Sequence, residues 1–260
     1  MTLQDRRAAL IIAHPGHELR VYQWLKLARP LVFVLTDGSG RSGKSRIHQT
    51  TRILSEAGAT LGDIYGRMTD AELYAAIIQG NINWFVELAT ELADALRREA
   101  IDYVVSDALE GYNPAHDLCR YMTNAAILLL ARERQTVDNF DVLIAHRANG
   151  YERTNNDGGI LIDVDPTALE EKVQMARSYT ELEADVQRLL RTEGIESLKT
   201  EHLRRLVKTP WDSVPQPPFY EIYGQRKVKA GHYRQSITYR EHVRPIAEAL
   251  RAFGEKGGCS

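Results

Sequence analysis

Cysteine is scarce in this chain. Its 260 residues include two, Cys119 and Cys259, which excludes a disulfide framework and leads us to expect a reducing, cytoplasmic setting. Long apolar runs are missing as well. The opening Met1-Thr2-Leu3-Gln4-Asp5-Arg6-Arg7 carries no signal-peptide core, and no stretch approaches the length that spans a bilayer, so no membrane partner is expected. Excess charge is small, −2 overall, which leaves no basic field for nucleic acid or an acidic membrane. Repeats and low-complexity tracts are absent. What remains is a globular balance, 43% hydrophobic and 26% charged, in a chain long enough to bury a large core.

Short apolar segments recur at residues 8–12, 31–35, 101–107, 140–145 and 158–163, and each reads as a strand. Between the first two, Leu19, Val21, Trp24, Leu25 and Leu27 keep a helical spacing, which makes a βαβ unit with parallel strands. The pattern predicts a Rossmann-like α/β fold, a mostly parallel sheet with helices on both faces. Thr69-Asp70-Ala71-Glu72 reads as a capping box opening a helical stretch to Arg98, broken near Gly80-Asn81. Asp165 and Pro166 open a long helix expected to reach about Arg191. Beyond Gly194 the composition shifts. A proline-rich connector at 210–218 precedes two alternating segments, 219–224 and 233–239, expected as short strands, and a closing helix at 241–253. The expected organisation is an α/β domain over residues 1–193 and a small C-terminal extension over 194–260 packed on it.

Two polar loops leave predicted strand ends, where ligands bind in open α/β sheets. The first is Ala13-His14-Pro15-Gly16-His17-Glu18. Two histidines three apart on a tight turn can share one metal, but a catalytic zinc usually takes three protein ligands and keeps a fourth position open. The second loop, Glu110-Gly111-Tyr112-Asn113-Pro114-Ala115-His116, offers His116 as that third imidazole, or as a helix-terminal histidine that merely packs. His146, His232 and His242 read as structural or surface residues. A third loop, Gly38-Ser39-Gly40-Arg41-Ser42-Gly43-Lys44-Ser45, matches the phosphate-loop pattern in full, between a strand and a helix. It predicts a P-loop-like nucleotide-binding protein, or simply a helix start capped by Ser45. The one candidate second acidic motif, Val104-Val105-Ser106-Asp107, has its apolar run interrupted by Ser106.

The two histidine loops resemble the motifs of the LmbE/PIG-L family of zinc-dependent N-deacetylases. Ala13-His14-Pro15-Gly16-His17-Glu18 stands where the family has Ala-His-Pro-Asp-Asp-Glu, and Asn113-Pro114-Ala115-His116 where it has His-Pro-x-His. Thr36-Asp37-Gly38, the segment from Arg52 to Gly62, and Asp163-Val164-Asp165 with Lys172 are similar to further family stretches, so the resemblance covers about residues 8–190. It implies a Rossmann-like fold and a zinc held by His14, His17 and His116. The family's carboxylate ligand is His17 here, which makes the site one charge more positive and favours ionisation of water. Gly16 replaces the family's general base and Asn113 its second histidine. An amide can donate to an oxyanion but cannot shuttle a proton at neutral pH.

The resemblance therefore implies a metal-dependent hydrolase of the N-deacetylase type. Its small-molecule partner would be an N-acyl substrate such as an N-acetyl amino sugar, and its general base would be non-standard. Glu18, Asp37 or Glu110 would supply that base; Glu18 could instead tie its loop down through backbone hydrogen bonds. Tyr112 and Asn113 would bind the oxyanion, and Arg46 or Arg52 would hold a polar substrate, unless both arginines are solvated helix residues. Gly16 and Asn113 together motivate the rival reading, an inactive relative that binds metal or ligand. Substrate specificity is expected from the 147–157 loop and the extension. A homo-oligomer is left open.

Overall fold

The first apolar run becomes the middle of a sheet. The computed structural model describes residues 5–40, 42–145, 158–179, 183–192, 194–211 and 214–256; Arg41, His146, the 147–157 loop and Cys259 lie outside them. The elements are β1 (Ala8–Ile12), α1 (Tyr22–Ala28), β2 (Leu31–Thr36), α2 (Ile47–Ala57), β3 (Thr60–Met68), α3 (Asp70–Gln79), α4 (Ile82–Arg98) and β4 (Tyr103–Asp107). There follow α5 (Pro114–Arg132), β5 (Asp138–Val142), β6 (Ile160–Asp163), α6 (Pro166–Arg177), α7 (Glu183–Thr192), β7 (Thr200–Arg205), α8 (Phe219–Lys229) and α9 (Arg244–Lys256). The sheet runs β3-β2-β1-β4-β5-β7-β6. Its first five strands are parallel, while β7 pairs antiparallel with both β5 and β6.

Because strand side chains alternate, β1 feeds two cores. Ala9 and Ile11 pack into the layer of α3, α4, α5 and α9, whereas Ala8, Leu10 and Ile12 face the layer of α1, α2, α6 and α7. Burial on both faces explains why the run is apolar throughout. Strand order reverses between β1 and β4. In a doubly wound sheet the loops leaving the carboxyl ends of such a pair diverge and open a crevice. The two histidine loops are the ones that leave β1 and β4.

Local signals act as expected at several ends. Thr69 and Glu72 form a reciprocal capping box, Gly80 ends α3 in the left-handed conformation at φ 61°, and the Asn81 side chain caps α4. Asp165 caps α6, with Pro166 in its first turn. Other expectations are corrected. Residues 219–224 begin α8 instead of a strand, and 233–238 run irregularly into a π-turn at Tyr239–Val243. There the Tyr239 amide donates to Glu221 Oε2 (3.0 Å), so a side chain takes the place of a ladder partner. The helix expected to run unbroken from 165 ends at Arg177. Tyr179 then turns inward, fully buried, with its hydroxyl 3.0 Å from Thr50 Oγ1.

The chain beyond residue 194 is joined to the sheet through β7. Arg204 donates twice to Asp141 (2.7 and 2.7 Å), and buried Glu201 accepts from Lys172 Nζ (2.6 Å) and from the amides of Gln23 and Trp24 (2.8 Å each). Further on, the proline-rich connector presses on Gly111. A Cβ there would meet Val214 Cγ1 at 2.9 Å and Pro218 Cβ at 3.0 Å, and the residue sits at φ +62°. No helix among the described residues is long and apolar enough to cross a membrane.

Candidate active site

The loops after β1 and β4 bring three imidazoles together. The ring centroids of His14 and His17 are 5.5 Å apart, those of His14 and His116 5.2 Å, and those of His17 and His116 4.4 Å. All three residues are buried. Gly16 makes the turn between the first two at φ 105°, a backbone state that glycine adopts at little cost. Pro114 is the first residue of α5 and Asn113 caps it, which sets His116 in the same first turn.

Each ring of the first loop is fixed from behind. The Thr36 hydroxyl donates to Ala13 O (3.1 Å), so at 2.8 Å it accepts the proton on His14 Nδ1. Asp70 Oδ1 also stands 2.9 Å from that nitrogen but makes no directed hydrogen bond, so it acts on the ring as a charge. The interaction is mutual: although burial opposes ionisation, His14, Thr36 and the Gly40 amide together hold the Asp70 carboxyl well below the usual carboxylate range. His17 Nδ1 lies 2.9 and 3.0 Å from the two oxygens of Asp107, which is itself fully buried and accepts from the Ala13 amide at 2.9 Å. Arg120, fully buried, donates through Nε to Asp107 O (3.0 Å) and so secures that strand end. With Nδ1 held as the donor, a neutral ring carries its lone pair on Nε2. Burial lowers the pKa of His17 against the pull of Asp107. It lowers that of His116 much further, helped by the two neighbouring imidazoles, so both rings are neutral at pH 7.

Among the described residues, His14 Nε2 and His116 Nδ1 are buried without any hydrogen-bond partner. Orphaned polar atoms of this kind need an explanation, and a metal ion is one. Neutral imidazoles backed by carboxylates form a donor set suited to zinc. Three imidazoles on one tetrahedral zinc, with nitrogens at about 2.1 Å, would hold their ring centres about 5 Å apart. The donor chemistry and the closeness of the rings fit such an ion, while no group of three or more His, Cys, Asp or Glu among the described residues has its donor atoms in the geometry of a metal site.

The candidate carboxylates separate. Glu18 is fully buried, accepting from the Gly16 amide (2.7 Å) and the Thr50 hydroxyl (2.9 Å); burial raises its pKa to about 7. Glu110 receives the amides of Ile144 (2.7 Å) and Ala145 (3.0 Å), and burial raises it likewise to about 7. Both tie loops down. Asp37, half-buried and one residue beyond Thr36, uses only Oδ1 among the bonds of the described residues, toward the Ser39 amide (2.9 Å). Asn113 Oδ1 accepts from the Ala115 amide (2.9 Å) and from the Tyr74 hydroxyl (3.1 Å), which turns its amide nitrogen away from the cap. Tyr112 stacks on Phe219 (5.2 Å, 1°) and lies 6.2 Å from the His116 ring. Arg46 donates to Gly38 O, and its charge acts on both His17 and Glu18. Arg52 is half-exposed and paired with Ser178 and Glu56, toward α6.

Sequence reasoning missed Asp70, Asp107 and Thr36. Asp70 lay inside a capping box and Asp107 inside a weak acidic motif. The signal that could have found Asp107 and Thr36 is their place at the carboxyl ends of β4 and β2.

In the glycine-rich loop, four amides of the described residues already have acceptors inside the protein, which leaves them turned from a phosphate. Ser39 N is taken by Asp37, Gly40 N by Asp70 (2.6 Å), Gly43 N by Ser39 O (3.1 Å) and Lys44 N by Ser42 Oγ (3.2 Å). Gly38 is there for packing, since a Cβ would stand 2.9 Å from Pro15 Cδ.

No family model matches the chain, and no curated protein matches it. Solved structures do. The A40926 pseudoaglycone deacetylase Dbv21 is 18% identical, with a TM-score of 0.50 over 79% of this chain and 98% of that one, and shares its fold. The zinc-inhibited form of teicoplanin deacetylase Orf2 matches at 15% identity and a TM-score of 0.49, over 77% of this chain and 99% of that one. The conserved protein TT1542 from Thermus thermophilus matches at 14% and 0.48, over 80% and 99%.

Proposed function

We propose that the chain is a metal-dependent hydrolase of the N-deacetylase type, acting on an N-acyl small molecule, with His14, His17 and His116 as the zinc ligands. The observation that carries this reading is the cluster of three buried imidazoles, two with orphaned ring nitrogens and two backed by Asp70 or Asp107. The fold shared with a deacetylase supports it. When bound, zinc supplies Lewis acidity toward an acyl oxygen and lowers the pKa of water.

The chain's own residues do the rest. Asp70 and Thr36 hold His14, and Asp107 holds His17, each in the tautomer that frees Nε2 for a ligand bond. Asn113 directs its amide N–H toward the acyl oxygen, because its own oxygen is held by Ala115 and Tyr74. Gly16 leaves the usual base position empty, and Glu18 and Glu110 have both oxygens engaged. Asp37, whose second oxygen has no hydrogen-bond partner among the described residues, takes the proton from the attacking water and passes it to the departing amine. Arg46, beside the same loop, binds a polar group of the substrate.

The test is elemental analysis together with acetate release from N-acetylated amino sugars. Near-stoichiometric zinc in the parent and its loss in His116→Ala are expected, with Asp37→Asn keeping zinc but losing about 100-fold or more in kcat. A parent that takes up no zinc when it is offered overturns the proposal. Zinc without hydrolysis of any substrate would favour the inactive, ligand-binding relative that Gly16 suggests.

A further inference from the structure

Of the large hydrophobic side chains left exposed among the described residues, two are aromatic, Tyr223 (40%) and Tyr233 (37%). Both belong to the C-terminal segment: Tyr223 connects through Phe219 to Tyr112 of the loop that carries Asn113 and His116, and Tyr233 acts on Tyr74, the residue bonded to Asn113. Tyr112 stacks on Phe219, and Phe219 stacks in turn on Tyr223 (5.9 Å, 29°), so an aromatic ledge runs from the His116 ring outward to solvent. Tyr74 also meets this loop, its hydroxyl bonded to Asn113. Tyr233 is near enough to Tyr74 to add to the upward push that burial gives that phenol. The ledge is fixed in place, because the Tyr220 amide donates to Gly111 O (3.3 Å) and the connector packs on Gly111.

Scattered exposed aromatics need no explanation, but one that continues a stack of rings leading away from the His116 imidazole does. We infer that the ledge of Tyr112, Phe219 and Tyr223, together with Tyr233, is a subsite for a planar aromatic ring on the substrate, beyond the acyl group that meets the histidines. This rests on the hydrolase reading for its orientation. At the end of α8, Lys227 Nζ stands over the Tyr223 ring, 5.2 Å from its centre, and Phe219 stacks on that ring as well, so an incoming ring meets Tyr223 at its edge. Offset or edge-on aromatic pairs at 4.5–7 Å add about 0.5–1.5 kcal/mol, which is about two- to twelvefold in affinity.

The experiment compares N-acetylglucosamine with its 4-nitrophenyl glycoside on the zinc-loaded full chain, reading affinity by saturation-transfer NMR and turnover by acetate release. The aryl glycoside is expected to bind several-fold more tightly, with the preference falling to near one in Tyr223→Ala and Tyr233→Ala and appearing there as a raised KM at constant kcat. Tyr223→Trp keeps the preference, and so does Leu161→Ala, an exposed change on the edge strand β6. Equal binding of the two probes, no binding of either, or a preference that survives both alanine variants overturns the inference. Aryl preference without acetate release sinks the hydrolase reading and leaves the subsite standing. Acetate release without preference does the reverse.

Discussion

Replacing Asp107 by asparagine tests the histidine cluster most sharply, because the change is nearly isosteric and alters only hydrogen-bond polarity. The native carboxylate faces two donors, the Ala13 amide at 2.9 Å and His17 Nδ1 at 2.9 and 3.0 Å, and accepts from both. An amide side chain has one oxygen and two N–H groups. If its oxygen keeps Ala13 in the place of Oδ2, its nitrogen takes the place of Oδ1, 2.9 Å from His17 Nδ1, and sets donor against donor unless the ring accepts there. The ring proton moves to Nε2, and the lone pair meant for a metal is lost. Removing such an outer partner costs about 10- to 100-fold in metal affinity. If the oxygen instead keeps His17, the buried Ala13 donor is left unpaired, at about 1–3 kcal/mol of stability. Zinc competition against a chromophoric chelator, run beside urea unfolding, separates the two outcomes, and one of the two losses is expected. An Asp107→Asn variant matching the parent in both zinc affinity and unfolding midpoint would refute the assignment of His17 as a ligand oriented by Asp107.

Other outcomes follow from the same geometry. Burial raises Glu110 from its ordinary value to about 7, so the folded protein holds that proton more tightly than the unfolded chain. Its contribution is full below pH 4.5 and is lost as pH rises through about 7, a fall of about 3 kcal/mol. In Glu110→Gln that part of the slope should vanish from urea midpoints taken between pH 4.5 and 8; an unchanged slope would show that Glu110 is ionised in the fold. Gly111→Ala meets both a left-handed backbone and Val214, and should cost about 2–4 kcal/mol in chemical denaturation. Equilibrium dialysis should find no saturable ATP binding in the parent; binding that is present and lost in Lys44→Ala would restore the phosphate-loop reading.

Much of the architecture was legible because the parallel core strands are uninterrupted apolar runs. Residues 8–12 and 31–35 sit in the interior of the sheet, where periodicity and burial agree. The strand at Thr60–Met68 was hidden by Gly62 and Gly66 and by two register shifts against β2 that break the alternation. Its Gly62 is needed because a Cβ would meet Phe33 at 2.5 Å, a tertiary demand that the sequence does not display. Thr200–Arg205 was hidden by charge, since its Glu201 and Arg204 are satisfied by Lys172 and Asp141 from distant parts of the chain. Phe219 and Tyr223 fit a strand and a helix alike, and their stacking belongs to the helix. At the candidate site the histidines announced themselves by their place at strand ends. Asp70 did not, because a carboxylate in a first helical turn already has a local explanation.

The place of β7 in the sheet has a consequence for synthesis. The strand that covers β5 is made after β6, its other neighbour, and about sixty residues after β5 itself. A nascent chain that has just released β5 therefore exposes an open edge of unpaired amides and carbonyls. That edge stays open until residues 200–205 leave the ribosome and slot in beside it, bringing Arg204 to Asp141. A chain cut at residue 193 would keep the three histidines but never close that edge, and should be recovered as aggregate, not as a working core.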